Sequence, residues 1–264
     1  MVTNMMPQEP LPLPVQQVAA TQQLGALVKV YKASIIGSIV GFLLFLIGGV
    51  FFLFGGLFAE DTTDNTKTVL VLCGVACLAL AVYLVALVIQ AVSRRTYLFQ
   101  QGLVIYKGNQ VQSLPWNQVA EVWQSITRNY RNGIYTGTTY LYTLRRADGT
   151  QIRLNNMTKG VAELGPAVAR GVSQELIPRA LSALRSGQTL TFTPFSVNQQ
   201  GLGNGREFVP WSQIQSIDVN KGVITVKKFG QSRRWASAMV SKVPNFLVFT
   251  VVAEEMRRQA GVVR

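Results

Sequence analysis

The sequence predicts an α+β protein: a transmembrane helical hairpin, then an antiparallel, sheet-rich cytoplasmic part with capping helices. Three observations carry this. Two long apolar runs, Ala33–Ala59 and Thr68–Val92, contain no charged residue. From Thr96 onward apolar residues recur mostly with period two, as in strands with one buried face. Between Gly160 and Gly187 the spacing shifts to threes and fours, which is the helical period.

Residues 1–23 hold Pro7, Pro10, Pro12 and Pro14 among several glutamines, and read as a disordered, extended arm. Residues 24–95 form a two-helix membrane anchor with spans at about 33–59 and 68–92. A helix crossing the hydrocarbon core needs about 20 apolar residues, and both runs exceed that. A soluble buried hairpin would show a polar face every 3.6 residues; these runs show none. A secretory signal would have a shorter apolar core nearer the start. The break Glu60–Lys67 is polar and acidic, whereas Lys29, Lys32, Arg94 and Arg95 flank the spans on the other side. Basic flanks mark the cytoplasmic face. The expected localisation is therefore multi-pass in the inner (plasma) membrane, with both termini cytoplasmic. Tyr31 and Lys32 are expected at the interface. Gly37-x-x-x-Gly41 and Gly48, Gly49, Gly55 and Gly56 suit close packing against the partner helix or a second copy. Cys73 and Cys77 lie four apart in the second span and read as small packing residues.

After Arg95, TYLFQQGLVIYKG, NQVQSLPW and NQVAEVWQSITRNY read as strands. Thr139–Arg146 and Thr150–Leu154 form a hairpin about Asp148-Gly149. The helix Gly160–Gly187 follows, with Pro178 expected to kink it. Five further strand candidates run from Thr189 to Val240, and a last helix spans about Asn245–Gln259.

Two stretches repeat. Gln100-Gln101-Gly102-Leu103 precedes Leu114-Pro115-Trp116-Asn117-Gln118-Val119, and Gln199-Gln200-Gly201-Leu202 precedes Val209-Pro210-Trp211-Ser212-Gln213-Ile214. Each has a turn, a short strand and a Pro-Trp box. In this order of elements the chain resembles bacterial pleckstrin-homology-like (PH-like) domain proteins. The resemblance implies a curved antiparallel sheet or partly open barrel capped by a helix, with Trp116 and Trp211 in the core beside Pro115 and Pro210. It implies binding or oligomerisation rather than catalysis. Residues 96–187 would be a first PH-like domain and 188–264 a second, shorter one, unless the two merge into one larger sheet.

The net charge is +13, and from Thr96 on 20 Lys and Arg face 8 Asp and Glu. Anionic lipid and nucleic acid are the two sinks for that charge. The tether ranks lipid first, and solubility plus topology bias is the plainer account. Lys227, Lys228, Arg233 and Arg234 flank one turn; Arg128 and Arg131, grouped with Arg145 and Arg146, form a second cluster. Both are candidate contacts for lipid phosphates, or solvated edges that prevent aggregation. The chain has no histidine, which removes the commonest general base and most zinc sites. Gly201–Gly205 lacks dinucleotide-loop spacing. No catalytic residue, metal or cofactor is expected. The expected function is a membrane-anchored, non-enzymatic interaction or oligomerisation module. The bilayer, anionic head groups, a second copy or a protein are its partners. The alternative is a small membrane enzyme or transporter accessory subunit; tethered nucleic-acid binding ranks third.

Overall fold

The computed structural model describes residues 11–58, 63–231 and 233–261. Its first elements are α1 (Leu13–Thr21), β1 (Leu27–Lys32), α2 (Ile36–Phe58) and α3 (Asp64–Val92). The α2 and α3 helices are long and apolar enough to cross a membrane. Only 6% of the most apolar stretch of α2 and 11% of that of α3 is buried within the protein, so their apolar surface is not spent on a soluble core. The helices touch through glycines: a Cβ on Gly49 would fall 2.8 Å from Leu78, and one on Gly74 2.6 Å from Leu53. Of the Gly37-x-x-x-Gly41 motif, Gly41 joins the seam, where a Cβ would lie 3.2 Å from Leu84, whereas Gly37, like Gly48, faces open space. Cys73 is exposed and does not serve the packing role expected of it. The acidic break partly joins α3, which begins at Asp64; residues 59–62 lie outside the described residues.

The segment before α2 departs from the expectation. Leu13–Thr21 is helical and buries Val15 against Leu24, Tyr97, Phe99 and Val104, so residues 11–23 are not an extended arm; residues 1–10 lie outside the described residues. β1 is a strand paired antiparallel with β2 (Arg94–Phe99), from Leu27↔Phe99 to Lys32↔Arg95. The apolar hairpin is therefore inserted between two neighbouring strands of one sheet. Tyr31, expected at the interface, is 4% exposed and belongs to the first core. Lys29 reaches Glu163 of the following long helix at 2.6 Å. The first sheet-rich part starts at Leu27 rather than at Thr96.

The first sheet continues through β3 (Gly102–Lys107) and β4 (Gln110–Pro115) in the order β1-β2-β3-β4. A 3-10 turn at Trp116–Gln118 leads into β5 (Val119–Arg131), β6 (Ile134–Arg146) and β7 (Gln151–Asn155), a second antiparallel sheet. The helix α4 (Val161–Arg185) follows and remains helical through Pro166 and Pro178. The same order then recurs, with shorter strands except the last. Sheet β8 (Leu190–Phe192), β9 (Phe195–Val197), β10 (Gly201–Gly203) and β11 (Phe208–Pro210) is followed by a 3-10 turn at Trp211–Gln213. Then come β12 (Ile214–Asn220), β13 (Val223–Lys228), β14 (Arg234–Met239) and α5 (Phe246–Gln259). Among the described residues no sheet closes into a barrel.

Amphipathic spacing along α4 fills two cores. Val161, Leu164, Val168 and Val172 seal the first, with Trp116, Tyr142 and Leu154. Leu184, with Ile177 and Leu181, seals the second, with Phe195, Trp211 and Phe249. Leu176 packs against both. Glycine notches admit the large rings: a Cβ on Gly165 would lie 2.0 Å from Tyr142, and one on Gly171 2.6 Å from Trp116. A second link joins the halves. Asn245, with φ 51°, donates from its backbone N–H to the Val122 carbonyl at 2.8 Å. Its Oδ1 accepts from the Val122 N–H at 2.9 Å, and its Nδ2 donates to the Ala120 carbonyl at 2.9 Å.

Candidate functional site

The repeated residues build one corner twice. In the first half Gly102 pairs with Pro115, and in the second Gly201 pairs with Pro210. The Pro-Trp strand passes so close that only glycine fits. A Cβ at Gly102 would stand 2.8 Å from the Leu114 carbonyl oxygen, and at Gly201 2.1 Å from that of Val209. Proline then sets an extended backbone before the 3-10 turn, with φ −63° at Pro115 and −58° at Pro210. Trp116 and Trp211 are each 2% exposed. Their backbone N–H groups donate to Gln101 and Gln200. The indole Nε1 of Trp116 donates to the Gln100 carbonyl at 2.9 Å, and that of Trp211 to Asn198 at 3.0 Å. These bonds satisfy polar groups that burial would otherwise penalise. Both corners end in a bulge, between Val119 and Glu121 and between Ile214 and Ser216. The corner residues are structural.

The four basic residues near Phe229-Gly230 do not converge. Lys227 and Arg234 are cross-strand neighbours and exposed, as is Arg233. Lys228 is turned away from them: its ammonium sits 3.0 Å from Glu207 and 5.9 Å above the Trp235 ring. Strand alternation separates neighbours 227 and 228 onto opposite faces. The Trp235 indole donates to the Glu207 carboxylate at 2.7 Å. That bond, then the Lys228 ammonium, holds Glu207 below the ordinary carboxylate range. The cluster is thus three exposed cations, Lys227, Arg233 and Arg234, and a separate Glu207–Lys228–Trp235 brace.

The second basic group also divides. Arg145 pairs with Glu121 and lies 5.3 Å from the Trp123 ring. Arg146 bonds Gln118 and approaches Asp148 at 3.5 Å. The Asp148 carboxylate accepts the Thr150 N–H at 2.8 Å, which, with Arg146 adding less, lowers its proton affinity. Arg128 and Arg131 sit at the other end of the same strand pair, opposite Thr138 and Ile134, and both are exposed. Residues 121 and 128 are seven apart, about 23 Å along a strand, so these arginines share no site with Arg145 and Arg146. Their companions are Tyr130 and Tyr135, whose rings meet edge to face at 5.8 Å. The sequence reading missed this β5–β6 hairpin. Its signal was Asn132-Gly133, both at positive φ (51° and 79°), the dipeptide that a two-residue hairpin turn favours.

Among the described residues no group of three or more His, Cys, Asp or Glu side chains converges to hold a metal ion. No curated protein and no solved structure matches the chain. A family profile spans nearly all of it, covering residues 5–261: the chain belongs to the family of unknown function DUF6585.

Proposed function

We propose that this protein is a membrane-anchored, non-enzymatic interaction module of a bacterial inner membrane. Its cytoplasmic part is two tandem PH-like units, and its termini lie on the cytoplasmic side. The observation that carries the reading is the insertion of α2 and α3 between paired strands β1 and β2. Two spanning helices leaving adjacent strands pin one end of a rigid sheet against the bilayer. A sheet held there meets head groups, neighbouring copies and membrane proteins at high effective concentration. The basic flanks Lys32, Arg94 and Arg95 and the acidic break after α2 support the orientation. The twice-repeated corner and the four-then-three strand order support the PH-like assignment. The lack of histidine supports a binding role.

The test uses the full chain, because a fragment starting at Thr96 would lack β1. Hydrogen exchange is followed in nanodiscs of phosphatidylcholine alone and with phosphatidylglycerol, alongside size-exclusion of the discs. Slower exchange in the sheets with the anionic lipid, or a stable dimer, supports the reading. Identical exchange in both discs with one copy throughout refutes it.

A further inference from the structure

The longest strands of the fold outrun the sheet that supports them. β5 and β6 are each 13 residues long, but β7 pairs with β6 only from Leu141 to Arg145. The part from Ile126 to Tyr140 is a two-stranded ribbon without a third strand. From Leu141 to Ile134 it extends about 23 Å. Such a ribbon is marginally stable alone in water. It is also unusually apolar for its position: Ile126 is 53% exposed, Tyr130 60%, Ile134 71% and Tyr135 55%. It carries Arg128 and Arg131 and no acidic residue.

The faces of the ribbon differ. Ile126, Arg128, Tyr130 and Tyr135 share one face, fixed by the Arg128↔Thr138 pairing and by the Tyr135 hydroxyl, 2.7 Å from the Thr138 hydroxyl. The opposite face is tied across by Asn129 Nδ2, which donates to the Thr139 hydroxyl at 2.8 Å.

The root of the ribbon is stitched to the place where the membrane helices depart. Asn156 Oδ1 accepts the Tyr140 N–H at 2.7 Å, and its Nδ2 donates to the Thr138 carbonyl at 2.8 Å. One residue on, the Met157 carbonyl accepts the Ser34 N–H at 2.7 Å, and Ala33 bridges Thr158. α2 begins at Ile36.

We infer that this ribbon rests on the anionic leaflet of the membrane that holds α2 and α3. The Arg131↔Ile134 pair lies on the face opposite Arg128, Tyr130 and Tyr135, so the ribbon meets the lipid tip first: Arg128 and Arg131 engage phosphates from its two faces, while Tyr130, Ile134 and Tyr135 beside the turn enter the interfacial layer. Three properties select lipid as occupant. Tyrosine with basic residues is the composition of membrane interfaces. The charge is complementary to an anionic surface. The root lies within a few residues of a helix that would be anchored there, so the lipid is met without a separate association step. The inference rests on the membrane reading above and adds a second, reversible contact to it.

The test places an environment-sensitive fluorophore on Ile134→Cys in a Cys73→Ala/Cys77→Ala background of the full chain. The chain is reconstituted in nanodiscs carrying shallow, lipid-borne nitroxide quenchers. A label on Gln188→Cys, at the far end of α4, is the control, and a label on native Cys73, in a Cys77→Ala chain, reads the anchor. Quenching at 134 well above that at 188 is expected in discs with phosphatidylglycerol. It should weaken in phosphatidylcholine alone and in Arg128→Gln/Arg131→Gln, where losing each charge weakens engagement roughly fivefold. Quenching at 134 no greater than at 188, or unchanged without anionic lipid, overturns the inference while the anchor stands. A Cys73 label out of reach of lipid overturns the membrane reading itself.

Discussion

The two halves share a corner and differ in what leaves it. In both, a Gln-Gln-Gly-Leu turn receives a Pro-Trp strand, a tryptophan closes the core and a bulge starts the next sheet. In the second half the connections are minimal. β8 and β9 are joined by Thr193-Pro194, β12 and β13 by Lys221-Gly222, and the strands of the first sheet are three residues long. In the first half the corresponding connections are the largest features of the molecule. The whole apolar hairpin stands between β1 and β2, and β5 and β6 lengthen into the ribbon. A corner held by close backbone approach, one backbone hydrogen bond and one indole hydrogen bond tolerates insertions elsewhere. The second half reads as a brace. It shares α4 with the first and grips β5 through Asn245.

Truncation should break this comparison most sharply. A chain beginning at Thr96 loses β1, leaving β2 as an unpaired edge and Tyr31 absent from the core. Amides of β2 to β4 should lose their exchange protection, whereas β9, β10 and β13 keep theirs. Protection surviving equally in both halves would mean that β1 is an accessory to the sheet. Next in size are the paired variants Trp116→Ala and Trp211→Ala. Each removes a buried indole, at a cost of about 3–5 kcal/mol, read as a fall in denaturation midpoint. Similar losses sharpen the equivalence of the corners; a loss confined to one breaks it. Gly201→Ala and Gly102→Ala should each cost about 1–3 kcal/mol by overpacking, with the tighter Gly201 site the costlier.

Asn245→Ala tests the brace. It leaves the Val122 N–H and the Ala120 carbonyl without their side-chain partner, at about 1–3 kcal/mol. Faster exchange at Val122 should appear before any change in β13. The smallest effect is in acid. Glu207 has a lowered proton affinity in the fold, so its contribution is full above the ordinary carboxylate range. It fades as pH falls through the lower folded value. The wild type should therefore lose second-half stability more steeply than Glu207→Gln as pH falls below the ordinary carboxylate range, measured as denaturation midpoint against pH. Parallel slopes would show that the Glu207–Lys228–Trp235 brace adds nothing.

Much of this was written locally in the chain. Charge-free runs gave α2 and α3, helical spacing gave α4 and α5, and Gly102, Pro115, Trp116 and their second copies marked both corners. These signals depend on residues a few positions apart, and the backbone reads them without help. Asn132-Gly133 was equally local, and with it the β5–β6 hairpin was there to be found. What no local pattern contained was the partner of β1. LVKVYK is short, basic and set against an apolar run, so alone it looks like the foot of a membrane helix. It becomes a strand only because β2, on the far side of the hairpin, offers its backbone groups in register. The fates of the cations were decided in the same way. Lys227 and Lys228 are neighbours in the chain, yet strand alternation exposes one and turns the other toward Glu207. Arg128 and Arg145 looked like one cluster until the strand pairing set them at opposite ends of the β5–β6 pair. Pairing between distant strands fixes both neighbour and face, and only the assembled sheet supplies it.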